Sequence, residues 1–590
     1  MAEKAVKLRN GPALIQYFCV PDKKGNFHAP GDSPQDWEAF KNYCRVDVEA
    51  MRRCHQVMPT WNYTGPEHRL WVLDYEINQR GLPVDLEAIE GALQAVRDAQ
   101  AQMDKRTHQL TGGALASATQ RDALLSYLYL EEDAKLPEMT KAAVAEALAA
   151  GDLSPVAREL LEIRADRSRT STAKFRKMRD CAVGGRIRNG FTWCGAGRTR
   201  RWAGRLVQWQ NLYRGSFKTI EERDATIAAM VDGSLLELYA DPIEAAASTI
   251  RGMIKAPPGK KFVVSDLSNI EGRVLAWLAG EQWKLDAFQA YDDGVGPDLY
   301  VLAFAKSFGV APQDVDKDER QIGKVQELSL GYEGGVGAYV AMGKGYGMEF
   351  DALVEPTLAR ATERQIARAS RALCRDRRQG RYEALSDEVY VALDVIKQGW
   401  REGHPGVRAL WRDLDDAMRQ AIVQPNTVVE CGEVSFEHIV APLDVLLVHL
   451  PSGGRLHYHH PKIRDVPRRI PKGQGEYDTR IDKVITYWGP SQEGKGPRKA
   501  WAPIGTFGGK ICENIVQAIA RDVMAANMPA IDEAGYRIIG TVHDEVITET
   551  PDSPEYTAEG LSTWLARVPE WAPGLPLSAS GFEAKRYRKD

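Results

Sequence analysis

Apolar residues recur at three- and four-residue intervals through residues 66–180, the spacing of one buried face on a helix. Helices are predicted over Leu70–Asn78, Asp85–Leu110, Ser117–Leu130, Thr140–Ala150 and Pro155–Met178, with Gly81-Leu-Pro83 and Thr111-Gly-Gly113 supplying turns. Nearer the N-terminus, Trp37 to Met51 carries the same periodicity; the Pro34 region predicts the start of that helix and Pro59 its end. From Cys181 the pattern changes to short apolar runs among Gly, Arg and Trp, the texture of strands. A mixed αβ core is predicted over 181–300 and again over 426–590, and the stretch 301–425 between them is predicted helical. A helical insertion in one αβ core returns distant strands to a single sheet. Residues 464–500 are predicted to form a surface loop or an extended hairpin.

A chain of 590 residues exceeds what one core supports, and about four domains are expected. Apolar content of 44% with 27% charged residues is ordinary for a soluble globular protein and excludes a fibrous or disordered class. No apolar run approaches the ~20 residues of a membrane span, and the polar N-terminus lacks a signal-peptide pattern. The eight cysteines are scattered with no C-x-x-C pair, so reduced thiols and a cytoplasmic setting are expected, not a disulfide framework or a zinc site.

The net charge of −4 does not announce a nucleic-acid partner, but its distribution does. Between Cys181 and Arg214 lie seven arginines (Arg186, Arg188, Arg198, Arg200, Arg201, Arg205 and Arg214) and no acidic residue. Trp193, Trp202, Trp209 and Tyr213 are interleaved with them. Arginines neutralise phosphates and aromatics stack on bases, so a nucleic-acid groove is expected here.

The candidate chemistry lies in three short segments. Asp266, in Val-Val-Ser-Asp266-Leu-Ser-Asn-Ile-Glu271-Gly-Arg273, and Asp544, in Thr-Val-His543-Asp544-Glu545-Val, each follow an apolar run and are placed at the ends of buried strands. Between them, Arg320, Lys324, Leu328 and Tyr332 recur every fourth residue, predicting one helix face. Displacement at phosphorus uses two divalent ions about 3.5–4 Å apart, and two aspartates from separate strands can clamp both. Arg320 and Lys324 suit a triphosphate and its pyrophosphate leaving group, Lys324 also as proton donor, with Leu328 and Tyr332 as an apolar wall behind the incoming base. Together these describe a nucleotidyl-transfer site. His457 and His459 share a strand face, but no carboxylate or cysteine follows at ligand spacing, and they are read as structural.

In this order the three motifs (Asp-x-Ser-x-Ile-Glu-x-Arg, Arg-x3-Lys-x7-Tyr and His-Asp-Glu) resemble those of family A DNA polymerases, similar to bacterial DNA polymerase I and to phage-encoded members. The resemblance runs from about Trp37 to the C-terminus. It implies an α/β (mixed α+β) right-hand fold: a remnant of an exonuclease domain at 1–65, a thumb at 66–180, a palm at 181–300 and 426–590, and fingers at 301–425. It also implies Mg²⁺, with Mn²⁺ as a substitute, held by Asp266, Asp544 and the Leu267 carbonyl. Primer-template DNA and dNTPs are the implied partners. By the same resemblance Glu271 is the steric gate against a 2′-hydroxyl, Asn269 faces the nascent pair, and Tyr300 stands where a triphosphate-contacting histidine is common. Thr199-Arg200-Arg201 and Gln210-Asn211-Leu212 resemble the primer-template segment. Glu513 and Gln517 fall in the template-contacting helix, and His543 approaches the primer terminus.

Some positions depart from the family pattern. Leu328 replaces an aromatic ring, which predicts weak dideoxynucleotide incorporation; Glu333 and Arg200 each replace a glycine. Tyr43-x3-Asp47 resembles the last motif of the family's 3′–5′ exonuclease, yet only 42 residues precede it, and Asp36-Trp37-Glu38 starts the same helix. A remnant helix is therefore expected, or the docking site of a separate exonuclease subunit. Two rival classes stay open: a single-subunit RNA polymerase, against which Glu271 argues, and a non-catalytic DNA-binding protein on a polymerase scaffold.

Overall fold

The computed structural model describes residues 10–22, 25–58, 60, 65–167, 172–217, 219–473, 476–490 and 500–588; Pro59, the expected end of the N-terminal helix, lies outside them. The chain divides into two compact units, Met1–His68 and Arg69–Asp590.

The first unit is built on helices Gly11–Cys19 and Pro34–Val57. Phe18 is buried between them, stacked on Phe40 at 5.6 Å and edge-on to Trp37 at 5.1 Å. Gly11 lies so close to the Tyr43 ring that a β-carbon there would come within 2.2 Å of it. Tyr43 hydrogen-bonds Asp47 one turn along the helix, which raises the phenol pKa.

In the second unit, helices Leu86–Leu110, Arg121–Glu131 and Lys141–Ala150 follow the predicted periodicity. Of the helix expected over Pro155–Met178, the described parts are Pro155–Arg167 and Ala173–Cys181; residues 168–171 lie outside the described residues. Leu115, Leu124, Leu128, Leu160 and Leu161 form a small core of their own within residues 115–163, separate from the main one.

Two sheets follow. A four-stranded antiparallel sheet runs in the order Ile538–Val542, Glu545–Pro551, Lys260–Leu267, Ala579–Ala584. Its strand Lys260–Leu267 is interior to the sheet, with Phe262, Val263 and Val264 almost fully buried. The second is a six-stranded meander from Val428–Cys431 to Trp501–Thr506. It includes the hairpin of Arg455–Gly473 and Glu476–Pro490, so the 464–500 segment takes the hairpin form as far as it is described. Between the two strand regions every regular element from Leu299 to Val423 is helical. The 26-residue helix Gly508–Glu533 is buried along most of its length and packs against Pro405–Val423, Ile270–Leu278 and Ala558–Leu565.

Candidate active site

Strand register brings the two aspartates together. Asp266 lies opposite Glu545 across the sheet, and Asp544 occupies the two-residue turn in which Val542 pairs with Glu545. The Leu267 N–H donates to the Asp544 carbonyl at 3.2 Å, so residues distant in sequence are fastened by one backbone hydrogen bond. His543 completes the turn at φ 58°, a left-handed conformation of the kind tight hairpins require. Glu545, to which the sequence assigned no role, is buried and accepts from the Tyr587 hydroxyl at 2.6 Å. Burial first, then Glu545, pushes that phenol well above its ordinary value.

Beside Asp544 lies a short polar chain. Arg201 Nη2 is 3.6 Å from Asp544 Oδ1 and hydrogen-bonds Glu271 Oε1; the other Glu271 oxygen accepts from the Tyr332 hydroxyl at 2.9 Å. Burial opposes the Arg201 charge, but Asp544 and Glu271 outweigh it and raise its pKa. Burial and Glu271 together hold Tyr332 well above the usual phenol range, so it remains a donor. Glu271 occupies the first turn of helix Ile270–Leu278, whose N-cap Asn269 takes φ 48°.

Tyr332 is not on the helix that carries the other three residues of its motif. That helix, Lys317–Leu330, ends two residues earlier, and the Trp411 indole N–H binds the Gly331 carbonyl at 3.1 Å just beyond it. Glu333 sits at φ 63°, where glycine is unstrained and a side chain costs roughly 1–2 kcal/mol. In return its carboxylate accepts from the Gly509 N–H at 3.0 Å, one of the open donors at the start of helix Gly508–Glu533.

Arg320, Lys324 and Leu328 do share one face of Lys317–Leu330. An Asp316/Glu319 capping box starts this helix. Gly323 lets it cross helix Leu299–Phe308 closely, since a β-carbon there would come within 2.0 Å of the Tyr300 carbonyl. Arg320 pairs with Asp298 at 2.8 Å and lies 5.3 Å from the Tyr300 ring centre; Lys324 Nζ is 4.6 Å from that of Tyr346. Asp298 also caps the Leu299–Phe308 helix through the Tyr300 N–H, a double role the sequence analysis missed although Pro-Asp-Leu marks a helix start. Burial, then Glu327 and Asp298, pushes the Tyr300 phenol up to about 12. The C-terminal half of the helix is anchored by Glu327, which takes the Trp400 indole N–H at 2.8 Å and pairs with Lys284. Burial raises the Glu327 pKa, but Lys284 and His404 outweigh it and hold the carboxyl well below its usual range. Leu328 is 39% exposed.

A cleft of about 420 Å³ adjoins the polar chain and is lined by Arg201, Gln210, Asn211, Gln517 and His543, among others. Arg205 is exposed outside that lining, and Glu513, one turn before Gln517, pairs with Lys510 at 2.7 Å. The expectation that the whole Cys181–Arg214 run forms a groove needs correction. Arg186 binds Glu549 at 2.7 Å and two carbonyls, and Arg188 binds the Gln79 and Val183 carbonyls. Trp202 and Trp209 are buried, Trp202 donating to Asp74 at 2.9 Å, so neither can stack on a base. Aromatic interleaving in sequence does not say which faces the core takes.

Arg200, the other glycine replacement, sits at φ 55° and is buried against Asp522 at 2.6 Å. Asp522 also accepts from Arg521 at 2.8 Å and from Ser452. Asp522→Ala leaves two buried guanidiniums facing one another and is expected to cost about 3–5 kcal/mol. Arg200→Gly should cost less, because Asp522 keeps its other donors and glycine suits the backbone. Denaturant midpoints of the two variants check the order.

The histidine strand has no site of this kind. His457 is held down to about 4 by burial and then by His459, so it is neutral, and His460 pairs with Asp444 at 3.1 Å. Among the described residues no group of three or more histidine, cysteine, aspartate or glutamate side chains could hold a metal ion. The residues available to hold a metal near this turn are the two carboxylates of Asp266 and Asp544, with main-chain carbonyls to complete the set. Such a set suits Mg²⁺, which keeps several waters and takes one or two carboxylates together with substrate phosphates.

Comparison with known proteins agrees with this geometry. No family model matches the chain. A DNA polymerase of Bacillus phage SP02 is 32% identical over 606 aligned positions, covering 100% of this chain and 82% of the relative. DNA polymerase I of Chloroflexus aurantiacus matches locally, 37% identical over 90 residues, which is 15% of this chain and 9% of that one. Among solved structures, the POL domain of Pol1 from M. smegmatis, in complex with DNA primer-template and dNTP, has a TM-score of 0.50 at 15% identity. The alignment covers 88% of this chain and 70% of that one, a likeness of fold. The chain belongs to the family A DNA polymerases and is a DNA-directed DNA polymerase. Its architecture is the mixed α/β right-hand polymerase fold. No helix among the described residues is long and apolar enough to cross a membrane.

Proposed function

We propose that this polymerase extends a primer 3′-hydroxyl on a DNA template with dNTPs, releasing pyrophosphate, and serves phage DNA replication. The observation that carries the mechanism is the sheet register that sets Asp266 beside Asp544, joined through Arg201 and Glu271 to Tyr332 at the end of the Arg320 helix. Asp266, Asp544 and the Leu267 carbonyl are the residues to hold Mg²⁺, which when bound supplies charge stabilisation at the attacking and leaving oxygens. Arg320 and Lys324 hold the triphosphate and neutralise the departing pyrophosphate, Lys324 also giving it a proton, while Leu328 and Tyr300 shape the pocket. Residues 66–180 act as thumb, 301–425 as fingers, and 181–300 with 426–590 as palm. Arg201, Gln210, Asn211, Gln517 and His543 contact the primer-template in the cleft.

Glu271 is the gate against ribonucleotides, held beneath the sugar by Tyr332 and Arg201. Glu271→Ala is expected to narrow the preference for dNTPs over rNTPs on the order of 10²-fold, the range in which one misfit group is rejected. Single-nucleotide incorporation with matched dNTP and rNTP measures it. The same primer-extension assay tests the function itself: wild-type protein preferring rNTPs would restore the RNA polymerase reading.

We read the first unit as a remnant without self-sufficient proofreading. Tyr43 and Asp47 bond to each other, and none of the residues of helix Pro34–Val57 is buried. On this reading the helix is a remnant, or the docking site of a separate exonuclease subunit on residues 1–65. A 3′-mismatched primer incubated without dNTPs should keep its length with this chain alone.

A further inference from the structure

Helix Glu363–Arg377 carries a row of charge that the site above does not use. Arg364, Arg368, Arg371, Arg375 and Arg378 recur at intervals of four, three, four and three residues, and all five are exposed. At ~100° per residue they fall within about 80° of arc, one straight stripe. The opposite face, with Ala369, Ala372 and Leu373, is buried, and the helix packs on Asp387–Gly403, which in turn packs on the helices bearing Tyr300 and Arg320.

The stripe is not spent on the fold. Arg377, off the stripe, binds the Tyr382 and Leu385 carbonyls and Asp387. Among the described residues Arg364, Arg371 and Arg378 have no ion pair. Arg368 reaches Glu402 only at 3.5 Å, with both groups half in solvent, and Arg375 reaches Asp376 at 3.5 Å. Like charges three and four residues apart oppose one another on a helix, so five in a row weaken it unless something anionic lies across them. Residues 363–381 hold seven arginines against Glu363 and Asp376, in a chain whose net charge is −4. The long hairpin closes one side: Arg468 donates to Gln379 at 2.9 Å, leaving a recess of about 400 Å³ that includes Arg371, Arg375, Arg378 and the apolar Ile470.

We propose that this stripe and recess bind a single strand of nucleic acid by its phosphates, ahead of or displaced from the primer junction; the proposal rests on the polymerase reading above. The five charges advance ~21 Å along the helix, about 5 Å apiece. That straight run suits an extended strand, whose phosphates can follow it and whose bases can meet Ile470. A duplex backbone would curve away from it.

The test compares the full-length protein with the triple variant Arg371→Gln, Arg375→Gln, Arg378→Gln. Anisotropy titrations use three labelled primer-templates: a short oligothymidine template overhang, a long one, and a short one with a displaced 5′ strand. The wild type should bind one or both substrates with the extra strand more tightly than the short overhang. The variant should lose about tenfold on that substrate, and its salt slope should fall by ~2, as expected for three lost phosphate contacts. Loss with the long overhang identifies the template, and loss with the displaced strand identifies that strand. The Lys triple variant should restore most of the affinity, and extension on the short overhang should be unchanged in both variants, which also reports folding. If the Gln variant binds all three DNAs as the wild type does, the proposal fails, and an acidic protein surface becomes the better occupant. Asp544→Asn should keep the extra-strand preference while losing synthesis, so failure of the catalytic reading stays distinguishable.

Discussion

Asp544→Asn is expected to lower single-turnover incorporation at least ~10³-fold, about 4 kcal/mol of transition-state stabilisation, while primer-template affinity changes little. The substitution is nearly isosteric and leaves the Asp544 carbonyl bonded to the Leu267 N–H, so the sheet register survives. It removes one of the two carboxylates proposed to hold the metal, borne on the turn whose Glu545 pairs with Asp266. Asp266→Asn should behave alike, and the double variant should be little worse than either, since residues acting as one unit are not additive. Incorporation within tenfold of wild type in either single variant would move the site elsewhere.

Arg320→Ala carries the second large effect, a fall of roughly 10²–10³-fold in kcat/KM for dNTP, the range for deleting one donor to developing charge. Arg320→Lys should recover only part, because an ammonium cannot make the forked contact of a guanidinium. The structure adds a control. Asp298 pairs with Arg320 at 2.8 Å and caps the neighbouring helix, so Asp298→Asn keeps the cap acceptor while weakening the ion pair. That variant should leave maximal turnover near wild type and shift KM, whereas Arg320→Ala lowers kcat and raises KM.

The sheet that unites Asp266 and Asp544 was legible because each follows an apolar run of strand length and because the intervening stretch has helical texture. Local pattern carries that information. For 464–500 composition left a surface loop and an extended hairpin open, and its described part lies in the hairpin of Arg455–Gly473 and Glu476–Pro490. What was not legible depends on partners remote in sequence. Tyr332 fits the four-residue spacing, but the helix stops at Leu330, and Trp411 and Gly509 meet the chain just past that stop. Trp202 and Trp209 look like stacking platforms beside arginines until the core takes them. Asp298 is an ordinary cap in one dimension and an arginine's counter-ion in three. Glu333 and Arg200 looked like losses of glycine; each instead sets a charge against helix Gly508–Glu533, Glu333 on the Gly509 N–H and Arg200 on Asp522.

The contacts around Tyr332 also make helix Lys317–Leu330 unequal along its length. Its C-terminal end is held by the Trp411 indole, the Gly509 amide, Glu271 and the buried Glu327 cluster. Its N-terminal end has no such buried polar ties: beyond its packing at Gly323 on helix Leu299–Phe308, its ion pairs are solvent-reachable, Arg320 with Asp298 and Arg360 with Glu319. A rod clamped at one end is a lever. Arg320 lies ~15 Å from the clamp along the helix axis, so a tilt of ~20° would carry its guanidinium about 5 Å while Tyr332 scarcely moved. On the proposed function, the end that would hold the triphosphate can then travel while Tyr332 and Glu271 keep their places, so opening and closing need not disturb the proposed gate against ribonucleotides.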